Sequence, residues 1–409
     1  MYKRYVEAKV KAALEDTPVI FIVGPRQCGK TTLVKQLIQP EEWAYVTLDD
    51  VNQLRFAKDD PINFIRSFGG KRVVIDEIQR SPELFLPIKQ WVDENRLPGR
   101  FLLTGSANAL ALPQVADSLA GRLELISLMP LAECEIRNTP STFLNKVFSG
   151  AAPETREIRI RDQLILKVLT GGFPEALQRI SHARRATWFN QYVLSIIQKD
   201  LKDLGGIEHF NAMPRLIQLM CNQVGNLINY TAVGNTLGLS RPTIAKYCQL
   251  LEQLFIFQEL PAWHRNENKR LIKTPKAHII DSGLLCALRR INQEKIERDA
   301  QLFGSLLESY VLCELRRLAS WHGEPLYFSH YRDKNQAEVD IVIETMSGDV
   351  VGIEVKASAT LARKDFQGLE CLKYSAGKNF RAGILLYDGD YTNIVSENIF
   401  SVPIGSLWE

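Results

Sequence analysis

No apolar run in this sequence approaches the roughly 20 residues needed to cross a bilayer, which excludes a helical membrane protein. The start, Met1-Tyr2-Lys3-Arg4-Tyr5-Val6-Glu7, lacks the apolar stretch of a secretory leader, so a cytoplasmic protein with no membrane contact is expected. Neither sign of charge dominates. With 50 Lys and Arg against 47 Asp and Glu, the formal net charge is +3, so any nucleic-acid contact must come from a local patch. The seven cysteines contain no C-x-x-C pair, which excludes the common zinc and dithiol motifs and leaves reduced, mostly buried thiols. Low-complexity linkers and internal repeats are also missing. At 409 residues the chain is too long for one ordinary core, so two or three domains are expected.

The apolar run Pro18 to Val23 is followed directly by Gly24-Pro25-Arg26-Gln27-Cys28-Gly29-Lys30-Thr31-Thr32 and then by an amphipathic run to Ile38. This order predicts a buried strand, a phosphate-binding loop and a helix. Glycines let backbone N–H groups turn around a triphosphate, and the loop opens on the positive end of a helix dipole. Lys30 is then expected at the β/γ-phosphates of ATP, with the Thr31 hydroxyl on Mg²⁺. Short apolar strands alternate with amphipathic helices to about residue 128, the pattern of an α/β fold with a parallel sheet. The expected strands are Val19 to Val23, Ala44 to Leu48, Arg72 to Ile75, Phe101 to Leu103 and Leu123 to Ser127.

The strand Val73-Val74-Ile75 ends in Asp76-Glu77, a Walker B pattern in which Asp76 holds the metal and Glu77 polarises the attacking water. A later strand ends in Thr104-Gly105-Ser106-Ala107-Asn108, and Thr104, Ser106 or Asn108 could sense the γ-phosphate; Ser106 is carried forward as the candidate. Arg122 precedes the last strand. It is either a finger acting within or between subunits of a homo-oligomer, or an ordinary surface arginine.

The runs GPRQCGKTTL, Leu48-Asp49-Asp50, VVIDEIQ, LLTGSAN and LAGRLELISLMPL are similar to those of AAA-type ATPases of bacteria and archaea whose C-terminal half is a domain of unknown function. The similarity continues through Gly171-Gly172-Phe173-Pro174-Glu175 and His278 to Leu285, so it spans most of the chain. It implies a P-loop ATPase domain over residues 1–130 and a helical lid or linker bundle over 131–230.

Residues 231–295 carry the layout of a winged helix-turn-helix. Gly238 marks the turn, Ser240 caps the second helix, and Pro242 sits in its first turn. Ile244, Tyr247, Cys248 and Leu251 share an inward face, leaving Arg241, Thr243, Lys246 and Gln249 outward. Such side chains suit phosphates and base edges, although many winged helices only pack or contact proteins. Phe255-Ile256-Phe257 and the polar segment His264 to Arg270 are the expected wing.

In residues 296–409, with strands expected at Tyr327-Phe328, Val339 to Ile343, Val350 to Val355 and Gly383 to Tyr387, Glu308, Glu338-Val339-Asp340 and Glu354-Val355-Lys356 occur in an order that resembles the PD-(D/E)xK nuclease superfamily. The resemblance implies an α/β restriction-endonuclease-like domain. Asp340 and Glu354 would bind Mg²⁺ or Mn²⁺, Lys356 would orient or activate water, and Glu308 would assist. Two carboxylates beside one lysine leave a negative pocket for a divalent cation. His278 and His330 read as lone structural histidines. The expectation is a Mg²⁺-dependent ATPase controlling a C-terminal half that acts on nucleic acid. The alternative is a regulatory switch or scaffold whose nuclease fold is silent and binds DNA or a protein partner.

Overall fold

The computed structural model describes residues 2–106, 119–204, 207–266, 270 and 273–409. The first sheet holds β1 (Val19–Val23), β2 (Trp43–Thr47), β3 (Arg72–Asp76), β4 (Phe101–Gly105) and β5 (Leu123–Ser127), all parallel, in the order β2-β3-β4-β1-β5. Period-two alternation sends Val19, Phe21 and Val23 to one hydrophobic cluster and Ile20 and Ile22 to another, so β1 is buried on both faces. The parallel sheet agrees with the sequence. Strand two starts at Trp43 rather than Ala44, where Trp43 pairs in register with Arg72 and lies under its guanidinium.

After β5 one hydrophobic cluster draws residues from Ala132 to Trp408, so the middle and C-terminal regions share a core, while a second cluster around Val339, Val342 and Leu369 lies on the other face of the C-terminal sheet. The long helix His182–Leu204 brings Trp188, Phe189 and Tyr192 around Phe173. Helices Tyr230–Leu237 and Arg241–Gln253 follow, joined at Gly238 with φ 68°, and Ser240 accepts from the Thr243 amide at 3.3 Å. Ile244, Tyr247, Cys248 and Leu251 are buried, whereas Arg241, Lys246 and Gln249 are exposed. Next come β6 (Phe257–Leu260) and β7 (Lys276–Ile279), an antiparallel pair. Phe255, the first residue of the expected wing, turns at φ 52°, and the strand begins two residues later. Residues 267–269 of the expected wing lie outside the described residues.

The C-terminal sheet contains β8 (Leu326–Arg332), β9 (Glu338–Thr345), β10 (Val350–Lys356), β11 (Phe380–Tyr387), β12 (Asn393–Ser396) and β13 (Ile399–Pro403) in the order β12-β13-β11-β10-β9-β8. Helix Ala300–Ala319 packs on the face carrying Ile341, Ile343 and Ile353, and helix Gln367–Ala376 on the face carrying Val339 and Val342. The antiparallel β9–β10 hairpin pairs Ile341 with Ile353, which sets Asp340 beside Glu354. Among the described residues no helix is long and apolar enough to cross a membrane.

Candidate nucleotide site and C-terminal carboxylate cluster

The loop between β1 and helix Lys30–Leu37 sits at the carboxyl end of β1, an interior strand of the sheet, where ligands of open α/β sheets bind. Its first glycine is sterically required, because a Cβ at Gly24 would lie 2.1 Å from the Leu128 carbonyl oxygen. Gly29 adopts φ 101°, a conformation that side chains rarely tolerate. Lys30 donates from Nζ to the Gly24 and Pro25 carbonyls, both at 3.0 Å, so its ammonium folds back over the loop. Cys28 is buried, its Sγ 3.2 Å from the Leu128 carbonyl.

Asp76 gathers the surrounding polar groups. It accepts from the Thr31 hydroxyl at 2.9 Å, from the Tyr45 hydroxyl at 2.9 Å and from the Thr104 hydroxyl. Burial and the Asp76 charge push the Tyr45 hydroxyl above its ordinary range. Thr104 Oγ1 also accepts from the Glu77 amide at 3.1 Å. Glu77 stands in the left-handed region at φ 60°, a costly position for a non-glycine residue, and the Gln79 amide holds its carboxylate. Gln79 also donates to Ser106 Oγ at 3.2 Å, which ties the candidate sensor to Glu77. Asn108 lies outside the described residues.

A cleft of about 970 Å³ opens above the loop. One wall carries Gln27, Gly29, Thr31, Thr32 and Glu77, and the other carries Pro174, Glu175, Tyr192, Ser195 and Lys199 from the helical region. Arg26 bridges the walls with a bidentate contact to Asp200 at 2.7 and 2.5 Å, and that hydrogen bond pulls its pKa further up. Arg4 braces the loop from behind, donating to the Cys28 carbonyl at 2.8 Å and to Glu135 at 2.9 Å. None of Arg4, Tyr45, Gln79 or Asp200 stood out in the sequence, since their partners are far away in the chain except for Gln79, two residues after Glu77.

Arg122 is elsewhere. It donates to Asp93 at 2.5 Å on the surface, at the amino end of β5, while the loop leaves the carboxyl end of β1. The five-residue register of β1 with β5 separates them by about 16 Å along the sheet, so Arg122 does not reach this chain's own loop.

In the C-terminal half, Glu308, Asp340, Glu354 and Lys356 converge as the sequence suggested. Lys356 Nζ donates to Glu354 at 2.9 Å, Asp340 accepts from the Val355 amide at 3.0 Å, and the Asp340 amide faces Glu354 at 3.4 Å. Burial, then the Asp340 charge, pushes Glu308 and Glu354 up to about 8. The expected charge count is corrected, because there is a second lysine. Lys276 of β7, only 4% exposed, donates to Glu308 at 2.9 Å and sits 3.3 Å from Asp340. An ammonium therefore stands between two of the expected ligands, and no group of three or more His, Cys, Asp or Glu arranged for a metal occurs among the described residues. As they stand, these residues do not fit a divalent cation. His278 is not isolated either, since its Nε2 lies 3.7 Å from Glu308. His330 donates from Nε2 to the Thr274 carbonyl 3.2 Å away, and burial lowers its pKa to about 4.

Three family models match along the chain: "AAA domain" at residues 16–137, "Domain of unknown function (DUF8612)" at 161–295 and "Domain of unknown function (DUF4143)" at 303–407. An uncharacterized protein of Mycobacterium tuberculosis is 30% identical over 409 residues, covering 99% of this chain and 84% of the relative. An uncharacterized protein of Methanocaldococcus jannaschii is 21% identical over 394 residues, covering 88% of this chain and 80% of the relative. Among solved structures, a Walker-type ATPase of Pyrococcus abyssi shows 15% identity and a TM-score of 0.40, covering 69% of this chain and 94% of that one.

Proposed function

This chain belongs to the family of the mycobacterial protein and carries an AAA-type ATPase domain, and from that premise we propose that its nucleotide state controls a winged-helix-like and nuclease-like C-terminal half that acts on nucleic acid. One observation carries the reading: the cleft beside the phosphate loop is walled by the helical region, and Arg26 joins the two walls through Asp200. A nucleotide in that cleft touches both bodies at once. Its occupancy therefore biases how they sit together.

The residues of the cleft fit Mg²⁺, because the Thr31 hydroxyl and the Asp76 carboxylate already face each other at 2.9 Å. Thr31 and Asp76 would hold the ion, and when bound it would neutralise charge developing on the phosphates. Glu77 is then the group that orients the attacking water, with Gln79 holding its carboxylate and Ser106 accepting from the same Gln79 amide. The loop amides of Gly24 and of residues 26–29 and the Lys30 ammonium bind the phosphates of ATP once Lys30 releases its own loop carbonyls. Arg122 lies too far from the loop to serve this chain's own nucleotide, so as a finger it would serve a neighbouring copy of the chain in a homo-oligomer; the alternative is a surface arginine that pairs with Asp93.

In the C-terminal half, the outward face of Arg241, Thr243, Lys246 and Gln249 meets phosphates and base edges of DNA. Lys276 lies among the carboxylates, and this favours binding over cleavage as the resting behaviour of the nuclease-like domain. The test is duplex binding by full-length protein at two salt concentrations, with and without a non-hydrolysable ATP analogue, followed by incubation with Mg²⁺ or Mn²⁺. Salt-sensitive binding that changes with the analogue supports the reading. Binding of no DNA or RNA under any condition overturns the nucleic-acid part and leaves an ATP-driven switch for a protein partner.

A further inference from the structure

The C-terminal cluster is assembled from two regions. Glu308 comes from helix Ala300–Ala319, Asp340 from β9, and Glu354 and Lys356 from β10, whereas Lys276 arrives on β7 of the middle region. That strand is firmly positioned: Leu260 pairs with Lys276, and Ala277 exchanges backbone hydrogen bonds with Asn226 and Gly225, each 3.0 Å long. A second observation marks the same spot. His278, fully buried two residues along β7, carries a ring Nε2 with no hydrogen-bond partner, 3.7 Å from Glu308 Oε1. An unsatisfied buried nitrogen beside a carboxylate is costly unless another state of the site uses it.

We propose that the Lys276 ammonium takes the place of a divalent cation in the Glu308–Asp340–Glu354 cluster, so that the cluster as it stands takes no metal. Lys276 satisfies the carboxylates when no metal is present. A second cationic centre on the same carboxylates would be repelled by that ammonium, so the cluster would suit a divalent cation only with the Lys276 charge removed. The cluster is thus closed by a side chain borrowed from the neighbouring region. β7 leads within five residues to Asp281, which accepts from the Gly172 amide at 2.7 Å, and Gly172 precedes the Pro174–Glu175 wall of the nucleotide cleft. The strand therefore lies between the two sites.

The inference uses the C-terminal site of the proposed function, but its readout is metal binding rather than cleavage, so an inactive nuclease would leave it standing. Mn²⁺ alone is added to nucleotide-free full-length protein and followed by calorimetry and by Mn²⁺ paramagnetic resonance. Lys276→Met should gain one Mn²⁺ site at least about tenfold tighter than any in the wild type, and Lys276→Met/Asp340→Asn should lose it. Should Lys276→Met fail to fold, Lys276→Gln keeps the length and polarity without the charge and should gain the same site. Equal Mn²⁺ affinity at an Asp340-dependent site in wild type and variant overturns the proposal, as does a folded variant that gains no site.

Discussion

Arg317 is a buried cation held by three acceptors, and its removal should be costly in a way that identifies the cause. The guanidinium donates to Asp281 at 2.8 Å, to Glu314 at 2.7 Å and to the Leu131 carbonyl at 3.0 Å, and all three side chains are nearly inaccessible. Taking one partner out of a buried network typically costs about 3–5 kcal/mol, because the remaining charges keep their desolvation penalty and lose their compensation. Arg317→Met keeps most of the volume, so this range should apply with little cavity contribution. The cost should grow with pH. Burial pushes Glu314 up to about 7, against Arg317, which favours the ionised form. A carboxyl whose folded pKa lies above its unfolded value binds more protons in the native state, so its contribution to stability falls as pH rises from about 4.5 to 7. Without Arg317 the folded value rises further and the loss extends to higher pH. Urea unfolding, followed by tryptophan fluorescence at pH 6 and pH 8, reads both effects. Arg317→Met/Asp281→Asn/Glu314→Gln should recover at least half of the loss, since neutral partners no longer need the cation. A single-variant loss below about 1 kcal/mol at pH 8, or a triple variant no better than the single, would refute the electrostatic account.

Lys30→Ala should abolish nucleotide binding, whereas Glu77→Gln should keep binding and lower hydrolysis by at least ~10²-fold, because only the water-orienting group is lost; equilibrium binding of a fluorescent ATP analogue and phosphate release separate the two, and unchanged hydrolysis in Glu77→Gln sinks the assignment. Arg122→Ala mixed with Glu77→Gln should regain ATPase activity if each site draws its arginine from a neighbour, since one type of interface then holds both intact groups. No recovery in mixed oligomers verified by mass spectrometry would make Arg122 structural. His330 sits well below its ordinary pKa, so the native state stays neutral while the unfolded chain takes up a proton; stability should fall as pH drops from about 6.5 to about 4, by up to roughly 3 kcal/mol. His330→Asn should flatten that part of the pH–stability curve, and an unchanged slope would assign the acid sensitivity to other groups.

What could be read from the sequence follows the distance over which each signal acts. The phosphate loop, the Asp76-Glu77 strand end and the parallel sheet are written in contiguous residues: β-branched runs fix the strands, and a glycine at position 24 is demanded by a carbonyl 2.1 Å from where its Cβ would stand. The β9–β10 hairpin is equally local, so the meeting of Asp340 with Glu354 could be anticipated from strand period two alone. Apart from Gln79, two residues from Glu77, the missed contacts have the opposite property. Arg26 meets Asp200 across 174 positions, Arg4 meets Glu135 across 131, and Lys276 meets Asp340 across 64. In each case a charged side chain of ordinary surface type finds its partner only when a second region docks, and no periodicity marks it beforehand. Lys276 shows why this matters for function. Read within its own segment, it is a lysine at the edge of a short strand, and the C-terminal motif read within its own segment is a negative pocket that calls for a metal. Placed together they neutralise one another, so the chemistry of the site belongs to neither segment. It is decided at the seam between them, which is also where the path from Gly172 through Asp281 to β7 arrives from the nucleotide cleft.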